Sequence, residues 1–178
     1  MAEITDLVHA AGQSATLMIA AAFGCQFEGQ VPFGRVMALV QNSMDARPDE
    51  IALADTIGLT VPTAVADLFG RLRPLGISLR AHFHNTRNAG YANVVAALET
   101  GVQLLDASAG SIGGRPFAPR ATGNIGTEDL AYLLEGMRVR HGIDGQAVAA
   151  LDPWPTMVLG HVVPATLGKT DPFPPEPQ

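Results

Sequence analysis

The sequence predicts an α/β protein made of parallel β/α units. Three observations carry that expectation. Short apolar runs alternate four times with amphipathic helical segments between Thr16 and Val139, the pattern of a parallel sheet with right-handed crossovers. The runs recur at roughly 25 to 35 residues, the length of one barrel unit. The composition, 47% hydrophobic with 6% aromatic residues and 19 glycines, supplies a core and tight loops. A complete eight-unit barrel takes at least about 200 residues. Four units in 178 residues therefore describe half a barrel, or an open four-stranded sheet.

The elements follow in order. Thr16 to Ala22, closed by Phe23-Gly24, reads as a buried strand. Pro32 opens a helix to about Ala46, with Val36, Met37, Leu39 and Val40 on its apolar stripe. Glu50 to Asp55 is the second strand, and Pro62 lies near the start of a helix to about Leu72 with Val65, Leu68 and Phe69 apolar. Ile77 to His84 is the third strand. Asn88 to Thr100 is a helix closed by Gly101. Val102 to Ala107 is the fourth strand, and Ser108 to Gly126 is a long glycine-rich loop. Thr127, the expected N-cap, begins a helix to about Val139 with Glu128 and Asp129 in its favourable first turn. No clear pattern follows Gly142. The division is one domain over 1–170 and a tail over 171–178, whose four prolines predict disorder.

Composition also limits function. A formal charge of −6 argues against nucleic acid as a partner. The lone cysteine, Cys25, makes no internal disulfide and gives no sign of an oxidising compartment. No apolar run reaches the roughly 18 residues of a membrane span. Met1 to Ala10 carry Glu3 and Asp6 and no basic stretch, so no signal peptide is expected. The expectation is a soluble cytoplasmic domain.

His82-Phe83-His84 is the strongest chemical signal. Alternation along a strand puts Ile77, Leu79, Ala81 and Phe83 on one face and Ser78, Arg80, His82 and His84 on the other. A polar face ending in two imidazoles suits a divalent metal; two hydrogen-bonded histidines is the plainer reading. Asp55 and Asp106 end the second and fourth strands, where parallel α/β proteins gather functional groups. Asp55 fits a base, an orienter or a helix cap, and its position favours the cap. Gly24 to Gly29 frames Cys25 and Glu28 in a turn that either faces a ligand or simply reverses the chain. The loop Gly113 to Asn124 reads as a lid or anion-binding loop with Arg115 or Arg120 as grip, or as an ordinary surface loop.

Four motifs together, GCQFEG (Gly24 to Gly29), LADTIG (Leu53 to Gly58), HFHNT (His82 to Thr86) and GGRPFAPRATGNIGTEDL (Gly113 to Leu130), resemble the 3-hydroxy-3-methylglutaryl-CoA lyase family of metal-dependent TIM-barrel lyases. Their order and spacing follow the family from about Ala11 to Gly142, and cover its C-terminal half only. The resemblance implies cleavage of a carbon–carbon bond in a 3-hydroxyacyl-CoA with Mg²⁺ or Mn²⁺. It implies His82, His84 and Asn124 as metal ligands, Asp55 as an active-site aspartate placing substrate and metal, and Glu28 and Glu128 as motif acids. Arg120 is expected to contact substrate.

Three departures stand out. Arg115 occupies the family's cysteine position; an arginine is always protonated and cannot act there as a base, although it suits a substrate carboxylate. Asn85 replaces the acid that follows the second histidine. The family's first half, which supplies an aspartate ligand and an arginine, has no counterpart in the chain. Raw strand edges on a half-barrel favour pairing with another chain. The expected partners are therefore an acyl-CoA and either a second copy or a separate N-terminal half. The competing expectation is a non-catalytic remnant that binds metal or acyl-CoA, or only forms an oligomer.

Overall fold

Glu50–Asp55 has all six residues buried, as expected of an apolar run hemmed by strands on both sides. In the computed structural model, which describes residues 1–114 and 123–171, this segment is β2 of a four-stranded parallel sheet. The chain runs α1 (Ala2–Ala10), β1 (Thr16–Ile19), α2 (Phe33–Met44), β2, α3 (Pro62–Leu72), β3 (Ser78–Phe83), α4 (Gly90–Glu99), β4 (Leu104–Asp106), α5 (Thr127–Gly136), α6 (Gly145–Ala149) and α7 (Pro153–Leu159). The strand order is β1-β2-β3-β4. Each strand pairs in parallel with the next. Unreversed order is the winding of a barrel wall; a doubly wound sheet reverses at a switch point.

The expected units are present, with β2 and α3 at their expected limits. β1 stops at Ile19, short of Ala22, because Ala21 turns to a positive φ of 55° and breaks the strand. Gly101 follows the last turn of α4 with φ 93°, as a helix-closing glycine should. Thr127 is not the N-cap: Gly126 holds that position and Thr127 is the first helical residue. α1, α6 and α7 are additions to the expected set. The proline-rich end from Pro172 onward lies outside the described residues.

Two-residue alternation gives the sheet two unlike faces. Ile51, Leu53, Ala81 and Phe83 point toward the helices and are nearly or wholly buried with Val36, Val40, Val65, Phe69 and Val94. The rings of Phe83 and Phe69 lie 6.3 and 6.4 Å from that of Phe23. On the opposite face the register aligns Glu50 with Ser78, Arg80 with Leu104, and His82 with both Ala54 and Asp106. Here Thr16 and Ser78 are exposed, and Met18 is 47% exposed. In a closed barrel this would be the inner face. Glu50, Ala52 and Ala54 of this face are buried, and among the described residues no strand pairs with the far edge of β1.

A returning segment caps the C-terminal end of the sheet. The Asn85 N–H donates to the Gly123 carbonyl at 3.0 Å, the Ile125 N–H to that of Phe83 at 3.3 Å, and the Ser108 N–H to that of Ile125 at 3.1 Å. The approach at Gly123 requires glycine: its φ is +98°, and a Cβ there would sit 2.3 Å from the Gly113 carbonyl oxygen. This return brings Asn124 beside His84.

Candidate active site

β3 and the residue that follows it bring His82 and His84 together, their ring centroids 5.3 Å apart. His84 is buried, and its backbone bridges that of Asn124. The Asn124 Nδ2 donates to the Ile112 carbonyl at 3.1 Å. Its Oδ1 is buried without a partner among the described residues. A buried acceptor left unmet costs about 1–3 kcal/mol, which a ligand there would recover. Two imidazoles and an unmet amide oxygen are donor chemistry suited to a divalent cation. Among the described residues no group of three His, Cys, Asp or Glu side chains is placed to hold a metal. The trio thus depends on an amide oxygen and lacks a carboxylate.

Below the histidines a polar ladder crosses all four strands. The Thr16 hydroxyl donates to Glu50 Oε1 at 3.0 Å, and the Arg80 Nε donates to the same oxygen at 2.6 Å. The Arg80 Nη1 donates to Asp106 Oδ1 at 2.8 Å, and Asp106 Oδ2 lies 3.2 Å from His82 Nδ1. The hydrogen bond to His82 and then the Arg80 charge hold the Asp106 carboxyl below its ordinary range, against the effect of burial. Glu50 and Asp106 in turn raise the Arg80 pKa.

Asp55 is 1% exposed and shares its register with Phe83, on the helix-facing side. Its Oδ1 accepts from the Leu59 N–H and its Oδ2 from the Thr60 N–H, each at 3.0 Å. Burial pushes its carboxyl up, and those backbone bonds oppose the shift. The carboxylate therefore holds the turn that leads from β2 into α3. The same turn includes Gly58, whose φ of +60° and closeness to Thr86 (2.8 Å from a Cβ to its backbone N) exclude a side chain.

Glu28 is exposed and pairs with Arg35 at the start of α2. Glu128 is fully buried; its Oε1 accepts from the Gly110 N–H at 2.8 Å, fixing the turn before the loop. Burial raises its pKa, and the neighbouring Asp152 adds to the rise. Arg115 and Arg120 lie outside the described residues. The structure adds Arg80, Glu50 and Asp106 to the histidine site. Parity along β3 had placed Arg80 on this face, but only the register between strands shows what it bonds.

Residues 1–153 match the HMGL-like family model. The chain belongs to the HMGL-like family. It is 47% identical over 160 residues to the (R)-citramalyl-CoA lyase of Chloroflexus aurantiacus, covering 89% of this chain and 50% of that one. It is 35% identical over 147 residues to the hydroxymethylglutaryl-CoA lyase YngG of Bacillus subtilis, covering 80% and 48%. Among solved structures, the HMG-CoA lyase of Acinetobacter baumannii, in complex with coenzyme A and 3-methylmalate, superposes with a TM-score of 0.90 at 37% identity. That match covers 97% of this chain and 57% of the other. The chain thus spans about half the length of the relatives it matches. No described helix is long and apolar enough to cross a membrane.

Proposed function

We propose that this chain is the metal-binding half of a cytoplasmic lyase that cleaves a carbon–carbon bond of a 3-hydroxyacyl-CoA with Mg²⁺ or Mn²⁺. What supports this reading is the 5.3 Å between the His82 and His84 rings, together with an Asn124 whose backbone bridges His84 and whose Oδ1 is buried without a partner among the described residues. A bound divalent cation polarises substrate oxygens and stabilises the negative charge that develops as the bond breaks. His82, His84 and Asn124 would hold it. Asp55 contributes as a positioning residue, by keeping the β2–α3 turn in shape at the mouth of the sheet. Arg115, Arg120 and Glu28 are the substrate contacts, the exposed Glu28 being paired with Arg35 in this structure. Arg115 supplies no proton-transfer group, and losing such a group typically lowers a rate about 10²–10⁴-fold. The 47% identity to a citramalyl-CoA lyase makes citramalyl-CoA the first substrate to test and HMG-CoA the second.

Completion of the site falls to a barrel half outside these 178 residues. The edge of β1, unpaired among the described residues, and the exposed Thr16, Met18 and Ser78 beside it are what a barrel half presents to its complement, with another copy or a first half as the occupant. A second reading, a remnant that binds metal or acyl-CoA without turnover, draws on the missing carboxylate among the described donors. One experiment separates them: acetyl-CoA release from (R)-citramalyl-CoA and HMG-CoA with Mn²⁺, by the chain alone and mixed with a first-half barrel of the C. aurantiacus relative. Turnover that disappears in His82→Ala supports the lyase. Mn²⁺ binding with no turnover in either mixture supports the remnant.

A further inference from the structure

We infer that Asp106, itself held by Arg80, is a positioning residue that fixes His82 as the tautomer protonated on Nδ1 and turns Nε2 toward the open face of the sheet. The inference deepens the metal-site reading above and uses its assignment of His82. It rests on the direction of the hydrogen bonds along the ladder. A carboxylate only accepts and a guanidinium only donates. Asp106 Oδ2, 3.2 Å from His82 Nδ1, therefore requires Nδ1 to carry hydrogen in a neutral ring. Arg80 cannot swing away from Asp106 freely, because its Nε and Nη2 are turned toward the two oxygens of Glu50 at 2.6 and 3.4 Å. Glu50 is also held from β1 by Thr16. The ladder is thus anchored at one edge of the sheet and ends on His82. Which imidazole nitrogen is left for a ligand is set by the hydrogen bond the other one makes.

Asp106→Asn gives this idea a sharp consequence. Arg80 Nη1, a donor, faces Oδ1 at 2.8 Å, so the new amide must keep its oxygen toward Arg80. Its NH₂ then faces His82 Nδ1 and donates to it. The ring proton is driven to Nε2, the nitrogen that a metal would need bare. A pair that served only to tie β3 to β4 would switch the tautomer in the same way and leave Mn²⁺ affinity unchanged.

The test is ¹⁵N NMR of the full chain with labelled histidine at about pH 8.5, where an imidazole of ordinary pKa is neutral. His82→Gln assigns the resonance, and Mn²⁺ affinity is read in parallel by electron paramagnetic resonance. The expected result is Nδ1–H for His82 in the wild type and Nε2–H in Asp106→Asn, with Mn²⁺ affinity lowered about 10–100-fold in the variant. Nε2–H in the wild type, an unchanged tautomer in a folded Asp106→Asn, or a switched tautomer with unchanged Mn²⁺ affinity would overturn the inference. If that variant does not fold, the wild-type spectrum alone decides. A tautomer that switches as expected in a protein that binds no Mn²⁺ contradicts the metal reading and upholds the hold of Asp106 on the tautomer.

Discussion

The two faces of the sheet are built from the same strands, yet they obey opposite rules. Toward the helices, Ile51, Leu53 and Phe83 are fully buried and apolar, and their packing holds the fold together. Toward the open side, Thr16, Glu50, Arg80, Asp106 and His82 are linked by directed hydrogen bonds, and Met18 stands half in solvent. The helix-facing side is tolerant of chemistry and intolerant of lost volume. The other side has little volume to lose, and its side chains matter for where their donors and acceptors point.

Substitutions can break this contrast, beginning with the largest expected effect. Phe83→Ala empties the space beside Phe23 and should cost about 3–5 kcal/mol in urea unfolding; a loss below about 1 kcal/mol would mean that the helix-facing side does not hold the fold. Arg80→Met strips the central donor from the ladder and leaves Glu50 with Thr16 alone and Asp106 with His82 alone, for an expected loss of about 1–3 kcal/mol. An unchanged midpoint would show that the ladder adds nothing to stability.

Asp55→Asn sharpens the contrast through pH. Burial raises the Asp55 pKa above its ordinary 3.8, so the folded state holds this proton more tightly than the unfolded chain does. Its contribution is fully present below the unfolded pKa and declines as pH rises through the folded value. Asp55→Asn should lose a backbone hydrogen bond and some stability, yet fall less steeply than the wild type as pH rises above the ordinary carboxyl value of 3.8. An identical slope would remove the burial argument. Smallest of all, Met18→Ser on the open face should stay within about 0.5 kcal/mol of the wild type. A cost like that of Phe83→Ala would mean that the face is covered in solution, and sedimentation of the two proteins would then reveal the partner copy.

How much was legible in the sequence follows the same division. β2 was readable to the residue and α3 closely, because an unbroken apolar run ends at Asp55 and Pro62 lies near the next helix start. The histidine pair was readable because parity along one strand needs no partner. The ladder was not: Glu50, Arg80 and Asp106 are 30 and 26 residues apart in sequence, and only the register brings them into bonding range. Asn124 was legible through family resemblance alone, since its place beside His84 depends on the return at Gly123. α1 escaped because Ile4 and Leu7 are 67% and 72% exposed, so its apolar spacing has no described surface to match. α6 and α7 have only five and seven residues, too few for a helical period to show.

Mn²⁺ titration of the wild type, His84→Ala and Asn124→Ala, followed by electron paramagnetic resonance, tests most directly whether the open face is a metal site. One saturable site in the wild type, weakened at least about tenfold in each variant, is the predicted result. No binding by the wild type, or equal affinity in all three proteins, would contradict it.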